Sequence, residues 1–263
     1  MKRVLTAAAL IPIVLCLVLL GSPLVLWTAV AAAALLSYRE YREMVRAAGF
    51  GDSGLIGYCA GLLLLASAVP AAPPGAGALV MVAGAIAFMA LAMRAADLAH
   101  ALPRASAGLL GVVYIFGCWS YAIPLHRANR QWLMYALLIS WAGDVGAYYV
   151  GRAFGRHRLA ERVSPKKSWE GAVASVVTSV VVAGGYLAYF VRGVAWWHVV
   201  ALSALANVAG QIGDLAESAL KRGVGVKDSG SLLPGHGGFL DRVDSTLFVL
   251  PVVWAYVAFV LGR

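Results

Sequence analysis

Long apolar segments alternate with short polar loops along the whole chain. A helix needs roughly 20 apolar residues to cross the hydrocarbon of a bilayer. Nine segments approach that length: residues 4–20, 22–37, 54–70, 77–93, 107–125, 131–150, 171–191, 196–218 and 244–261. The pattern therefore predicts an all-α, polytopic integral membrane protein with about nine transmembrane helices.

The polar content of these helices divides the chain into two regions. Residues 1–125 form apolar helices with small residues that permit close packing. The helices of residues 126–263 carry charges within their spans, and they are joined by polar loops at 151–170 and 219–243. We expect both regions to form one continuous membrane domain. Intramembrane charges usually face a polar cavity and mark function, so the functional part is predicted in residues 126–263.

The distribution of charge predicts the orientation of the chain. The protein has 263 residues, 62% of them hydrophobic, and a formal net charge of +9. Most Lys and Arg residues, including those at the N-terminus, fall on one side of the predicted topology, which the positive-inside rule assigns to the cytoplasm. We expect an integral protein of the cytoplasmic (inner) membrane with its active site facing the cytoplasm. A retained first helix is favoured over a signal peptide because no small-residue cleavage site follows Leu20.

The excess of basic residues also limits the choice of partners. These residues lie in short loops between spans, so membrane lipid headgroups or an anionic substrate are better partners for them than nucleic acid. The loop 151–170 alone has six cations, which can clamp phosphate or simply contact headgroups: Arg152, Arg156, Arg158, Arg162, Lys166 and Lys167.

Polar residues of four helices are predicted to meet at one depth. The first of these helices contributes Ser140, Asp144, Tyr148 and, just after its span 131–150, Arg152. Span 196–218 contributes Asp214, Glu217 and Ser218, while Glu170 and Asp244 lie at the starts of spans 171–191 and 244–261. Asp214, Glu217 and Ser218 share a helical face, as a carboxylate metal site requires. Glu217 alone could instead pair with Lys221, but this pairing leaves Asp214 without a partner. Mg²⁺ commonly binds one or two carboxylates plus substrate phosphates.

The segment 221–245 has the densest polar chemistry. Six of its residues are glycines, which can present backbone N–H groups to phosphate. Cations and carboxylates alternate along it: Lys221, Arg222, Lys227, Asp228, Asp241, Arg242 and Asp244. This composition suits a metal–polyphosphate complex. His236 could orient phosphate or could be an ordinary loop histidine.

These residues closely resemble the signature of the phosphatidate cytidylyltransferase (CDP-diacylglycerol synthase) family. The signature positions are Ser218, Leu220, Lys221, Arg222, Lys227, Asp228, Gly230, Leu233, Pro234, His236, Gly237, Gly238, Asp241, Arg242 and Asp244. Residues 144–155, 164–171 and 213–218 are similar to the family's other motifs. Val145 departs from the pattern, since a hydroxyl residue usually follows the first Asp.

The resemblance implies that CTP and phosphatidic acid are converted to CDP-diacylglycerol and pyrophosphate. It implies Asp214 and Asp241 as Mg²⁺ ligands, and it adds a second, monovalent cation such as K⁺ and a homodimer. The catalytic set is then Asp214, Asp241, Lys227, Asp228, Arg242 and His236. The substrate-binding set is Asp144, Arg152, Ser164, Lys166, Lys167, Ser218, Lys221, Arg222, Gly237, Gly238 and Asp244.

Two other kinds of protein compete with this interpretation. A related CTP-dependent enzyme could act on another lipid, as an ether-lipid cytidylyltransferase or a polyprenol kinase, but the complete signature favours the phosphatidate enzyme. A membrane transporter would carry polar residues along the whole depth of several spans. Here the polar residues cluster at one side, which disfavours transport.

Overall fold

The structure is a computed structural model, and it describes residues 2–52, 54–95, 97–232 and 237–262. The described chain is mostly helical. Its α-helices are α1 Lys2–Leu20, α2 Pro23–Ala47, α3 Gly54–Ala66, α4 Ala76–Ala92, α5 Ala101–Gly111, α6 Cys118–Ser120, α7 Ala122–Ala128, α8 Arg130–Phe154, α9 Trp169–Phe190, α10 Trp196–Gly223 and α11 Asp244–Ala255. Short 3₁₀ segments lie at Leu98–His100 and Leu240–Arg242, and π segments at Val112–Gly117 and Tyr256–Val260.

Each predicted span falls on a helix, and four helical stretches are long and apolar enough to cross a membrane. Within the described part of the chain these are Leu98–Ala128, Arg130–Phe154, Trp169–Phe190 and Trp196–Gly223. Shorter apolar helices cover Ile11–Leu20, Gly54–Ala66, Ala76–Ala92 and Asp244–Val260. The total of nine spans and the cytoplasmic N-terminus stay predictions.

The all-α expectation requires one correction. Between α8 and α9 the chain forms a two-stranded antiparallel sheet, β1 Arg158–Ala160 and β2 Ser164–Ser168, in the loop predicted at 151–170. Hydropathy did not predict it because its strands are short and polar. The sheet gives this basic loop a fixed backbone immediately before α9.

Helix α2 is longer than predicted. The expected span ended at residue 37, but the helix continues to Ala47 through the polar run that follows Tyr38. Ser22 begins the helix, since its side chain accepts a hydrogen bond from the backbone N–H of Val25. The extension has a buried face as well as an exposed one, and Glu40 lies on the buried face.

Polar side chains join α10 to its neighbours in the middle of the bundle. Asn207 Nδ2 donates to Ser175 Oγ at 3.0 Å and to Ser179 Oγ at 2.8 Å, and both serines belong to α9. Gln211 Nε2 donates to the carbonyl of Ala172 at 3.1 Å. Asn207 and Gln211 are therefore satisfied by packing against α9.

Helices α8 and α9 approach each other through small residues. A Cβ built on Gly146 of α8 would lie 2.8 Å from Thr178 Cβ and 2.9 Å from the carbonyl oxygen of Ala174. No real Cβ atom fits at such distances. Gly146 therefore sets how closely these two helices can pack.

We expect Gly146→Ala to destabilise the protein by about 1–3 kcal/mol, because the added methyl group overpacks the α8–α9 contact. Gly185→Ala in α9 is the matched control: no described atom lies within 4 Å of a Cβ built there, so the change should be neutral or slightly stabilising. The measurement is thermal unfolding of both purified variants in detergent. Equal stability of the two would contradict the close packing at Gly146.

Candidate active site

Two lysine–carboxylate pairs bring distant parts of the chain together at one end of the bundle. Lys167 at the end of the hairpin places its Nζ 2.5 Å from Asp214 Oδ2 of α10. Lys221 at the end of α10 places its Nζ 2.5 Å from Asp241 Oδ1 of the glycine-rich segment. The structure thus joins the basic loop, the end of α10 and the glycine-rich segment, as the sequence predicted.

The hairpin is anchored by the start of α9. Ser168 caps the helix by accepting a hydrogen bond from the N–H of Gly171 at 3.2 Å. Glu170 accepts a hydrogen bond from the backbone N–H of Arg156 at 3.1 Å and lies 2.6 Å from His157 Nδ1. Lys166 is exposed, while the next residue, Lys167, is half-buried beside Asp214.

Lys221 is a buried cation between two buried carboxylates. Its ammonium group contacts Glu217, one helical turn earlier in α10, as well as Asp241. The side chains of Lys221, Glu217 and Asp241 are only 9%, 0% and 5% exposed. The predicted Glu217–Lys221 pair is therefore present, but it is part of a three-residue cluster and does not merely solvate a helix end.

Asp241 organises the glycine-rich segment around its own carboxylate. Its Oδ2 accepts hydrogen bonds from the N–H groups of Ser229 at 3.0 Å and Gly238 at 2.8 Å, in addition to Lys221 at Oδ1. Burial would raise the pKa of Asp241, but the hydrogen bonds from Lys221, Gly238 and Ser229 hold it below its ordinary value. The carboxylate is therefore ionised, and its hydrogen bonds hold Ser229 and Gly238 of the segment close together.

Two further carboxylates lie near Asp214 and form a negatively charged group with it. Asp144 of α8, Asp214 of α10 and Asp244 at the start of α11 interact electrostatically with one another. Lys167 and Arg242 partly offset the charge of Asp144. Carboxylates that repel one another favour the arrival of a cation.

The donor set can be tested directly for Mg²⁺, the cation implied by the resemblance. Among the described residues, no three His, Cys, Asp or Glu side chains are grouped so as to hold a metal by themselves. Mg²⁺ does not need such a group, because it usually takes one or two carboxylates and completes its shell with water and substrate phosphates. Asp214 and Asp241 are hard oxygen donors, and each has a lysine partner that can move to a phosphate; Asp241 Oδ2 also accepts hydrogen bonds from the N–H groups of Ser229 and Gly238. The two residues therefore fit a site that forms together with a phosphate-bearing substrate.

Several other predicted site residues line the surroundings without joining these pairs. Exposed side chains of the described chain include Arg152, Lys166, Arg222, Lys227, Asp228 and Arg242. Arg152 donates to the hydroxyl of Tyr148, and Arg222 donates to the carbonyl of Val226. Ser164 lies in β2, and Ser218 Oγ is 3.5 Å from Asp214 Oδ1.

The structure describes Gly237 and Gly238 of the signature but not its histidine. His236 lies outside the described residues, so its role stays a prediction. Gly237 adopts a φ of 81°, a conformation that favours glycine, and Gly238 is buried beside Ser229.

Sequence reasoning missed one residue at this end of the bundle, Glu40 of α2. Its side chain is 4% exposed and accepts hydrogen bonds from the glycine-rich segment. A signal was present in the sequence: Glu40 shares a helical face with Ser37, Tyr41 and Met44, all buried, so a charge lies on the inward face of α2.

Several known proteins resemble this chain in sequence. The sequence profile described as the cytidylyltransferase family matches residues 1–260. A Bacillus subtilis (strain 168) protein named phosphatidate cytidylyltransferase is 38% identical over 152 residues, which cover 57% of this chain and 56% of that protein. Proteins of the same name from Staphylococcus saprophyticus and Staphylococcus haemolyticus are 38% and 39% identical over 145 residues, or 55% of this chain and 56% of each relative. The chain thus matches about half the length of these relatives.

We expect Lys221→Met to lower stability by about 3–5 kcal/mol, because it leaves Glu217 and Asp241 buried without their cation. Lys227→Met is the matched control, since Lys227 is an exposed lysine of the same segment. Thermal unfolding in detergent measures both. Adding Glu217→Gln to Lys221→Met should recover part of the loss, and an unchanged unfolding temperature in Lys221→Met would contradict the cluster.

Proposed function

Because the chain belongs to the cytidylyltransferase family, we propose that it transfers the cytidylyl group of CTP to phosphatidic acid. The products are CDP-diacylglycerol, a precursor in phospholipid biosynthesis, and pyrophosphate. The names of the Bacillus and Staphylococcus relatives support this substrate pair. The complete signature in residues 218–244 supports it from within the chain.

The observation that carries the proposal is the pairing of Lys167 with Asp214 and of Lys221 with Asp241. A nucleoside triphosphate and a divalent cation have opposite charges, so together they can separate such pairs. The lysines then turn to phosphate oxygens, and the carboxylates turn to the cation. Lys167 and Asp214 are half-buried, so each charge of this pair keeps a partner during the exchange. At the buried pair Lys221 must keep its contact with Glu217 while Asp241 turns to the cation.

The reaction is a displacement at the α-phosphorus of CTP. A phosphate oxygen of phosphatidic acid forms a new P–O bond there, while the bond to the β-phosphate oxygen breaks and pyrophosphate leaves with that electron pair. The attacking phosphate is already anionic at neutral pH, so it needs little activation by a base. Positioning and neutralisation of charge should therefore supply most of the catalysis.

The residues of the site divide into two kinds in this proposal. Asp214 and Asp241 hold Mg²⁺, which would neutralise charge on the phosphates, while Asp144, Asp228, Asp244 and His236 support the polar site. The phosphate-binding cations are Lys166, Lys167, Lys221, Arg222, Lys227 and Arg242. A second, monovalent cation such as K⁺ belongs to the same proposal.

The membrane setting completes the proposal. The site lies at the end of apolar helices, so a lipid substrate can enter sideways from the bilayer while CTP arrives from water. We place this end at the cytoplasmic face of the inner membrane, following the distribution of basic residues. The homodimer implied by the resemblance is also part of the proposal.

We expect Asp214→Asn to lower kcat/KM for CTP and phosphatidic acid by about 100-fold, because it removes a charged ligand of the proposed Mg²⁺ site. Asp97→Asn is the matched control: Asp97 is an exposed cap of the 3₁₀ segment Leu98–His100, and asparagine caps equally well. Product formation from labelled CTP by purified protein in detergent, with and without Mg²⁺, measures both variants.

The same assay can overturn the proposal. Phosphatidic acid should be preferred over its ether-linked analogue and over a polyprenol. Preference for the polyprenol would assign the chain to a different CTP-dependent reaction. Full activity of Asp214→Asn would remove this residue from the metal site.

A further inference from the structure

We propose that Glu40 is a positioning residue of the active site, acting by anchoring the glycine-rich segment to α2. The inference rests on the proposed function and extends it to a residue of the N-terminal region that lies outside the signature. Glu40 is 4% exposed, although it lies in the polar run at the end of α2. A carboxylate in such a place requires donors for both of its oxygens.

Among the described residues, the hydrogen-bond donors to Glu40 come from the glycine-rich segment. Ser229 Oγ donates to Oε2 at 2.9 Å, the N–H of Phe239 donates to Oε1 at 2.9 Å, and the N–H of Leu240 donates to Oε2 at 2.8 Å. Hydrogen bonds to a charged acceptor are stronger than those between neutral groups. Because these donors come from both ends of the segment 229–240, Glu40 holds the two ends together.

Two glycines leave the space that the Glu40 carboxylate occupies. A Cβ built on Gly230 would lie 2.6 Å from Glu40 Oε1, and one built on Gly238 would lie 2.5 Å from Glu40 Oε2. Any larger residue would therefore displace the carboxylate. From the sequence, these glycines were predicted only to let the backbone approach a ligand. In the structure, both glycines lie against the Glu40 carboxylate.

Ser229 links Glu40 to the proposed metal ligand Asp241. Its hydroxyl donates to Glu40 and accepts a hydrogen bond from the N–H of Asp241 at 3.3 Å, while its own N–H donates to the Asp241 carboxylate. A shift of Ser229 would therefore move Asp241, and with Asp241 the contact to Lys221. This chain of contacts connects α2 to the charged pairs of the site.

The contacts of Glu40 distinguish positioning from catalysis. Both carboxylate oxygens are taken by donors of the segment, so neither is directed at a substrate. Glu43, one turn further along α2, is half-exposed and pairs with Arg39 on the same helix. Glu43 is thus a natural comparison for a change of the same kind without a role in the segment.

Glu40→Gln is the decisive variant, with Glu43→Gln as its matched control. The amide keeps the size of the side chain but replaces one acceptor oxygen with an NH₂ group, which would face an N–H or O–H donor. We expect kcat to fall about 10–100-fold, as for other residues that orient ligands of a site. KM for CTP should change less than kcat, and Glu43→Gln should match the wild type in both.

Hydrogen exchange supplies a measurement that does not depend on activity. In Glu40→Gln we expect faster amide exchange confined to residues 229–232 and 237–241, with helices α8–α10 as protected as in the wild type. A purely structural role would instead loosen the helices together with the segment and lower the unfolding temperature. Glu40→Asp, which restores a carboxylate, should recover part of kcat.

The results of these measurements distinguish an anchoring role of Glu40 from no role and from a general structural role. Wild-type kcat and exchange in Glu40→Gln, or faster exchange throughout the protein, would overturn the inference. If Glu40→Gln does not fold, Ser229→Ala decides: it removes one of the three donors to Glu40 and also the acceptor for the Asp241 N–H. A smaller fall in kcat with faster exchange confined to the segment supports the anchor, and no change contradicts it. A wild-type protein that makes no CDP-diacylglycerol would refute the proposed function, while the exchange comparison would still test the anchor.

Discussion

The ammonium group of Lys221 lies between two carboxylates that are almost completely buried, Glu217 and Asp241. Charges in such surroundings must be paired, since an isolated one costs several kcal/mol. One carboxylate belongs to α10 and the other to the glycine-rich segment, so pairing fixes the segment onto the end of the helix. The neighbouring pair of Lys167 and Asp214 fixes the hairpin onto the same helix. Helix α10 is thus the element on which both charged loops are assembled.

The glycine-rich segment is held by carboxylates on two sides. Asp241 accepts hydrogen bonds from N–H groups within the segment. Glu40 of α2 accepts hydrogen bonds from other N–H groups of the same segment. The N-terminal region, whose helices are otherwise apolar, therefore contributes directly to the shape of the site. A segment with this many glycines would be costly to order by itself, and these two carboxylates supply the hydrogen bonds that order it.

Hydropathy and the position of charges were sufficient to predict the helices and the meeting of Asp144, Asp214 and Asp244 at one end. These features are local, since each depends on a single apolar segment and on where a charge falls within it. The hairpin depends instead on short polar strands, for which no apolar alternation exists. The Glu40 contacts join residues 189 to 200 positions apart, so only the folded chain reveals them.

The central claim is that this site transfers the cytidylyl group, with cleavage between the α- and β-phosphates of CTP. It is tested most directly by incubating the purified protein with Mg²⁺, phosphatidic acid and CTP that carries a radiolabel at either the α- or the γ-phosphate. The α-label should enter the lipid, and the γ-label should be released as pyrophosphate. Transfer of the γ-label to lipid, with the α-label retained in CDP, would contradict it.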